Sequence, residues 1–275
     1  MSFIGRKTRL HALLFSDFPL GLIVPLDHGL TLGPIDGIET TERLSRWIGS
    51  KNISAVIGHK GFVERLIERD MLHPATGIVV QLNGMPAIAP DPDKKIIVTN
   101  IQAAMRLGAD AVSLQLNFAK DNYAHNLSLL GRVVDEAHAY GMPVLTMAYD
   151  KEELSNDAER ITRINHIIRM VSESGSDAIK LAPPKEISDI PVILAHHCQD
   201  IQVYFAGGEL CTEDRLCEMT STLVSHGAYG LCIGRNVFQH PQPEELLVKI
   251  VNVMKNRERP ARLPGQKYVD GRGLK

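Results

Sequence analysis

The sequence is poor in the features that mark most specialised protein classes. It has four cysteines in 275 residues, Cys198, Cys211, Cys217 and Cys232, and no two of them stand as C-x-x-C. That excludes a zinc ribbon or a dithiol motif, and it is far too few for a disulfide framework, so reduced thiols are expected. His196, His197 and Cys198 are consecutive, but neighbours on a helix do not converge on one point, so no metal site is expected there. No cofactor is expected. No stretch approaches the roughly 18 apolar residues of a membrane span. Charge of one sign is also missing. Thirty Lys and Arg against 32 Asp and Glu give a net charge of -2, with no general attraction to nucleic acid or acidic membrane. Arg6, Lys7 and Arg9 ahead of HALLFSDFPLGLIVPL loosely mimic a secretion signal. Asp17 and Pro19 interrupt it and no small-residue cleavage site follows, so a cytoplasmic location is expected.

What the chain does have is alternation. Short, mostly β-branched runs occur at Gly21–Leu26, Ser54–Ile57, Gly77–Leu82, Ala111–Leu116, Pro143–Met147, Asp177–Leu181, Gln202–Phe205 and Ala228–Ile233. They are continuous apolar runs, as expected of parallel strands covered on both faces. Between them lie helical stretches, clearest at Ile101–Leu107, Asn126–Tyr140, Asp157–Ser174 and Asp214–His226. RLGADAVSLQ, AYGMPVLTMA, ESGSDAIKLA and SHGAYGLCIG repeat one junction, in which a Gly ends a helix and a strand starts shortly after,. Eight such β/α pairs predict a single (β/α)8 TIM barrel over residues 21–255, an α/β fold that typically needs about 250 residues. A doubly wound open sheet is the competitor, but its G-x-G-x-x-G turn is absent. Residues 1–20 are expected to form a short N-terminal helix and loop. Residues 256–275, basic and rich in Gly and Pro, are expected to be a flexible tail or an arm over a neighbouring subunit.

Active sites of such barrels lie where strands end and βα loops begin. Those positions hold Asp27 and His28, His59 and Lys60, Asn83, Asn117, Tyr149, Lys180, Gly207 and Gly208, and Gly234 and Arg235. Lys180 lies inside the apolar run DAIKLAPP. Burial there is expected to lower its pKa and free a neutral amine for attack on a carbonyl. The alternative is a lysine that snorkels to solvent or pairs with a carboxylate. Lys60 is the rival nucleophile. Tyr149 can pass a proton, or be a core tyrosine with a satisfied hydroxyl. Asp27 can orient substrate or stabilise an iminium ion, or serve as a loop or cap residue. His28 is a second polar contact or packing. The glycines of FAGGE and CIGRN let backbone N–H groups approach a ligand, a helix N-terminus after the last strand attracts anions, and Arg235 adds a bidentate donor. Together they point to a phosphorylated substrate.

VPLDHGLTLGPIDGI, VIGHKGF, KKIIVTNIQAAMRLGADAVSLQLN, YGMPVLTMAYD, DAIKLA, FAGG and GAYGLCIGRNVFQHPQP resemble the archaeal-type class I, Schiff-base aldolases. The pattern is nearest to the 2-amino-3,7-dideoxy-D-threo-hept-6-ulosonate synthase branch. The resemblance runs in order from about residue 20 to 255. It implies a (β/α)8 barrel in a decameric homo-oligomer, with Lys180 as Schiff-base lysine, Tyr149 as acid/base and Asp27 as its polar partner. It further implies Gly207, Gly208, Gly234 and Arg235 around a phosphate. His28, Lys60 and Asn117, read from their places at strand ends, are expected as further substrate contacts. The implied reaction joins a phosphorylated ketose donor, dihydroxyacetone phosphate or a deoxyketohexose phosphate, to an aldehyde such as aspartate semialdehyde, in aromatic-precursor or secondary-metabolite biosynthesis. Fructose-bisphosphate cleavage and thiolase-like acyl transfer on the same barrel are the alternatives. Three places depart from the family pattern. Glu209 and Leu210 follow FAGG where Pro and a basic residue are usual. Asp150, Lys151 and Glu152 replace Pro-Arg-Gly after Tyr149. Asn83 to Pro86 replace a Ser/Thr-rich turn.

Overall fold

The structure is a computed structural model, and it describes residues 2–119, 121–152, 156–195, 197 and 200–256. The eight apolar runs form eight parallel strands: β1 (Gly21–Pro25), β2 (Ala55–His59), β3 (Gly77–Gln81), β4 (Ala111–Phe118), β5 (Val144–Asp150), β6 (Ala178–Leu181), β7 (Gln202–Ala206) and β8 (Gly230–Cys232). They close in the order β1-β8-β7-β6-β5-β4-β3-β2. Closure is made by β8 on β1, with Gly21 opposite Gly230 and Ile23 opposite Cys232. This is the expected TIM barrel.

Alternation along each strand divides the core in two. Ile23, Ile57, Val79, Leu145, Met147 and Tyr204 fill the interior, while Leu22, Val24, Val56, Val80 and Val112 face the surrounding helices. Both faces are dry, which is why the runs carry no polar alternation. The four repeated junctions end as expected. Gly108, Gly141, Gly175 and Gly227 all have φ between 65° and 95°, a left-handed C-cap that costs glycine nothing.

Helix Ser2–His11 leads into a segment that stoppers the N-terminal end of the barrel. Leu13 is fully buried there, and its carbonyl accepts from Ser54 Oγ at 2.8 Å. A Cβ on Gly21 would stand 2.4 Å from that carbonyl oxygen. At the other end, Asn83–Gly84 pairs antiparallel with Ile96–Ile97, a bridge the sequence did not announce. Helix Tyr123–Ala139 starts three residues ahead of the expected Asn126. Asn126 is buried inside its first turn, donating to the Asn117 carbonyl at 2.9 Å. Residues 257–275 of the expected tail, and His196 and Cys198, lie outside the described residues.

Candidate active site

Lys180 stands in the middle of β6, paired in register with Met147 on β5 and Tyr204 on β7. It is 4% exposed. Its amine points into the barrel mouth, 3.6 Å from Met147 Sδ. Cys232 from β8, Tyr149 from β5 and Asp27 after β1 act on it. Burial pushes the amine down, but Cys232, Tyr149 and Asp27 push it up by more, so it sits above the ordinary lysine value. This corrects the sequence expectation of a lowered pKa, which took account of the apolar run alone. The Cys232 thiol is itself pushed up to about 11 by burial. Asp27 is the carboxylate among the three groups that act on the amine.

Asp27 occupies the N-cap position of helix His28–Leu32, yet its side chain makes no capping bond. Its Oδ1 lies 3.8 Å from His28 Nδ1. The carboxylate is thus not spent on local structure, which removes the cap reading. His28 is kept neutral: burial lowers its pKa, and Lys180 and Arg235 lower it further against the pull of Asp27. His59, at the end of β2, is likewise lowered by burial. Each leaves a buried Nδ1 without a hydrogen-bond partner.

Tyr149, His28, Lys180 and Cys232 line a cavity of about 920 Å³ that opens at the barrel mouth, together with Gly207, Gly208, Gly234 and Arg235. The glycines answer steric demands. A Cβ on Gly207 would meet Ile233 Cγ2 at 2.8 Å, one on Gly208 (φ +73°) would meet Pro183 Cγ at 2.9 Å, and one on Gly234 would meet His28 Cε1 at 2.7 Å. Arg235 is exposed, and its guanidinium donates to the Gly208 carbonyl at 3.3 Å. The helix after β8 is a single turn, Arg235–Phe238. Glu209 stands at the rim of the same cavity.

Several site features escaped the sequence reading. Asn236, 5% exposed, clamps the β7 loop: its Nδ2 donates to the carbonyls of Gly207 (3.2 Å) and Glu209 (3.0 Å), and its Oδ1 accepts from Cys211 N at 3.0 Å. The G-R-N triplet was its available signal. Arg160, Lys185 and Arg215 also line the cavity. With Lys180 and Arg235 they set five cationic side chains against Glu209, a balance suited to an anionic ligand. Lys95 is a second buried lysine, donating to the Met85 carbonyl at 3.2 Å and pushed down by burial.

Two expected contacts are placed elsewhere. Lys60 is exposed on the first turn of helix Lys60–Glu68 and does not line the cavity that holds Lys180. Asn117 is buried, donating to Asp93 Oδ1 at 2.6 Å and accepting from Gln115 Nε2 at 3.0 Å. Among the described residues, no three His, Cys, Asp or Glu side chains gather as a metal site, and no helix is long and apolar enough to cross a membrane.

Known proteins are similar to this chain. A 2-amino-4,5-dihydroxy-6-oxo-7-(phosphonooxy)heptanoate synthase of Streptomyces griseus is 27% identical, covering 92% of this chain and 91% of its own. A 2-amino-3,7-dideoxy-D-threo-hept-6-ulosonate synthase of Archaeoglobus fulgidus is 30% identical over 87% of each chain. An archaeal fructose-1,6-bisphosphate aldolase, solved with its catalytic lysine covalently bound to the carbinolamine intermediate, shares the fold. Its TM-score is 0.77 at 18% identity, covering 90% of this chain and 99% of the other. The model of the DeoC/LacD family aldolases matches residues 21–240, and the chain belongs to that family.

Proposed function

We propose that Lys180 is the Schiff-base nucleophile of an aldol reaction between a phosphorylated ketone donor and a small aldehyde. The carrying observation is one buried amine, with Tyr149 and Asp27 acting on it, opening into a cavity ringed by cations. The amine loses a proton and attacks the ketone. The carbinolamine sheds water to give an iminium ion, which draws electrons from the adjacent carbon. That carbon loses a proton and the resulting enamine attacks the aldehyde. The tyrosine hydroxyl gives its proton to the new alkoxide, and water releases the product from the lysine. Asp27 stabilises the cationic forms of the lysine nitrogen.

The donor phosphate is assigned to the sector of Gly207, Gly208, Gly234 and Arg235. The Streptomyces relative's name describes a β-hydroxy ketone with an amine at carbon 2 and a phosphate at carbon 7. Breaking its bond between carbons 4 and 5 in aldol fashion gives dihydroxyacetone phosphate and aspartate semialdehyde. We assign this chain the same acceptor, with dihydroxyacetone phosphate or a deoxyketohexose phosphate as donor.

The test is borohydride reduction with dihydroxyacetone phosphate, read by intact mass and peptide mapping. An adduct at Lys180 is expected. Tyr149→Phe should keep the adduct while kcat falls by about 10² to 10⁴. An adduct mapped to Lys60 or Lys95, or none with either donor, overturns the assignment.

A further inference from the structure

Asp27 and His28 are consecutive, yet they border different cavities. His28 lines the cationic cavity with Lys180. Asp27 lines a second one of about 530 Å³, built between the β1 and β2 loops and bordered also by His59, Glu39, Phe62 and Arg65. The Asp27 and His28 side chains stand 3.8 Å apart, Oδ1 to Nδ1, and Asp27 also acts on the Lys180 amine. A molecule in the second cavity therefore shares the Asp27 carboxylate with the donor held on Lys180.

The two cavities differ in charge. The first sets five cations against one carboxylate. The second holds Arg65 against Asp27 and Glu39, with His59 held neutral by burial. A field of one sign suits a phosphate, whereas a zwitterion needs both signs in one place. Arg65 is held over the Phe62 ring, its guanidinium carbon 5.8 Å from the centroid, and no described carboxylate pairs with it. Its fork is open to a carboxylate ligand. Glu39 shares its carboxylate with Arg43 at 3.0 Å.

We propose that this second cavity is the acceptor subsite and that it selects a small aldehyde bearing an α-amino-acid end. Arg65 takes the carboxylate and Glu39 the ammonium. The aldehyde end reaches Asp27 and His59, next to the enamine carbon on Lys180. The proposal rests on the aldol reading above.

The experiment uses the whole protein with dihydroxyacetone phosphate as donor and two acceptors: aspartate 4-semialdehyde and butanal, which matches its carbon count without the charges. Arg65→Met should raise the KM for the semialdehyde by about tenfold or more while donor KM and butanal turnover stay within about twofold. Glu39→Gln should move the same parameter in the same direction. Unchanged butanal turnover shows that both variants fold. If the two aldehydes respond alike, or the Arg65 variant is silent, the subsite is wrong. If the semialdehyde KM follows Arg160→Met or Lys185→Met instead, the acceptor binds in the cationic cavity and the proposal is overturned. Borohydride trapping of donor alone on Lys180 is independent of the acceptor. Its failure would sink the aldol reading, whereas its success with a silent Arg65 sinks only the subsite.

Discussion

Gly234 leaves the space that the His28 ring fills: a Cβ there would stand 2.7 Å from His28 Cε1 and 3.1 Å from Phe238 Cε1. The ring is already packed edge-on against Phe238 at 5.3 Å, so it has no free direction on that side. Gly234 has φ -99° and ψ -91°, just beyond the ordinary helical well, so Gly234→Ala adds a backbone cost to the clash with the ring. Overpacking of this kind costs about 1–3 kcal/mol. Gly234→Ala should lower thermal stability and weaken donor binding, and the double variant with His28→Ala should recover part of the stability. Equal losses in both backgrounds, by denaturant unfolding, would show that the ring and the methyl never compete.

The upward shift of Lys180 fixes the pH dependence of the covalent step. An amine held above its ordinary value is an ammonium at neutral pH, and only the free amine attacks a carbonyl. Adduct formation, followed by borohydride quenching, should rise with pH from 6 to 9 without levelling. Asp27→Asn removes a charge that favours the ammonium, so the amine's pKa falls and the rise should move to lower pH. This holds even where overall turnover drops through loss of Asp27 in later steps. A profile that moves to higher pH, or does not move, contradicts the assignment of Asp27 as the charge facing Lys180.

The legible part of this protein is what local pattern carries. Dry two-faced strands gave continuous runs, and helix-ending glycines marked the junctions. Residues at strand ends then had to ring the barrel mouth, so Lys180, Tyr149, His28 and the glycine turns meet in one cavity. What pattern could not carry is contact between distant segments. The sign of the Lys180 shift depends on Cys232 and Asp27, which the barrel brings from two other strands. Asn236 reads as an ordinary loop residue until the β7 loop closes on its amide. Lys95 follows an aperiodic stretch whose fold depends on a two-residue bridge. Lys60 sits at a strand end in sequence, but a helix starts at that residue and carries the side chain out to solvent.

His28 and His59 make stability sensitive to mild acid. Both are lowered from the usual 6.5, chiefly by burial. Below pH 6.5 the unfolded chain takes up protons on these rings while the folded chain resists. Stability is therefore fully present above 6.5 and declines as pH falls below it. Carboxylates ordinarily titrate near about 4 and histidines near about 6.5, so the interval from 7.5 to 5.5 favours the histidines. The urea midpoint should drop across that interval, and His28→Gln with His59→Gln should flatten the drop. An unchanged pH slope in the double variant would mean that the rings are not the groups being titrated.

Arg235 and Glu209 set the donor end of the site in opposite senses. Both line the cationic cavity. The guanidinium is drawn toward the β7 loop by its bond to the Gly208 carbonyl, and Asn236 fixes that same loop through the Glu209 carbonyl. The backbone of Glu209 is thus held while its exposed carboxylate is free to swing toward solvent. Repulsion between a carboxylate and a phosphate about 5 Å apart is roughly 1–2 kcal/mol at a water-like dielectric. Charge-assisted bonds from an arginine contribute about 1.5–3 kcal/mol each, so the cation prevails. Arg235→Ala should raise the KM of a phosphorylated donor by about tenfold or more and leave the acceptor KM nearly unchanged. Glu209→Gln should leave donor KM unchanged or lower it, and any gain should shrink at high salt because the effect is Coulombic. If phosphorylated and unphosphorylated ketones turn over equally and Arg235→Ala is silent, the glycine turns of β7 and β8 hold no phosphate, and the five cations serve another anion.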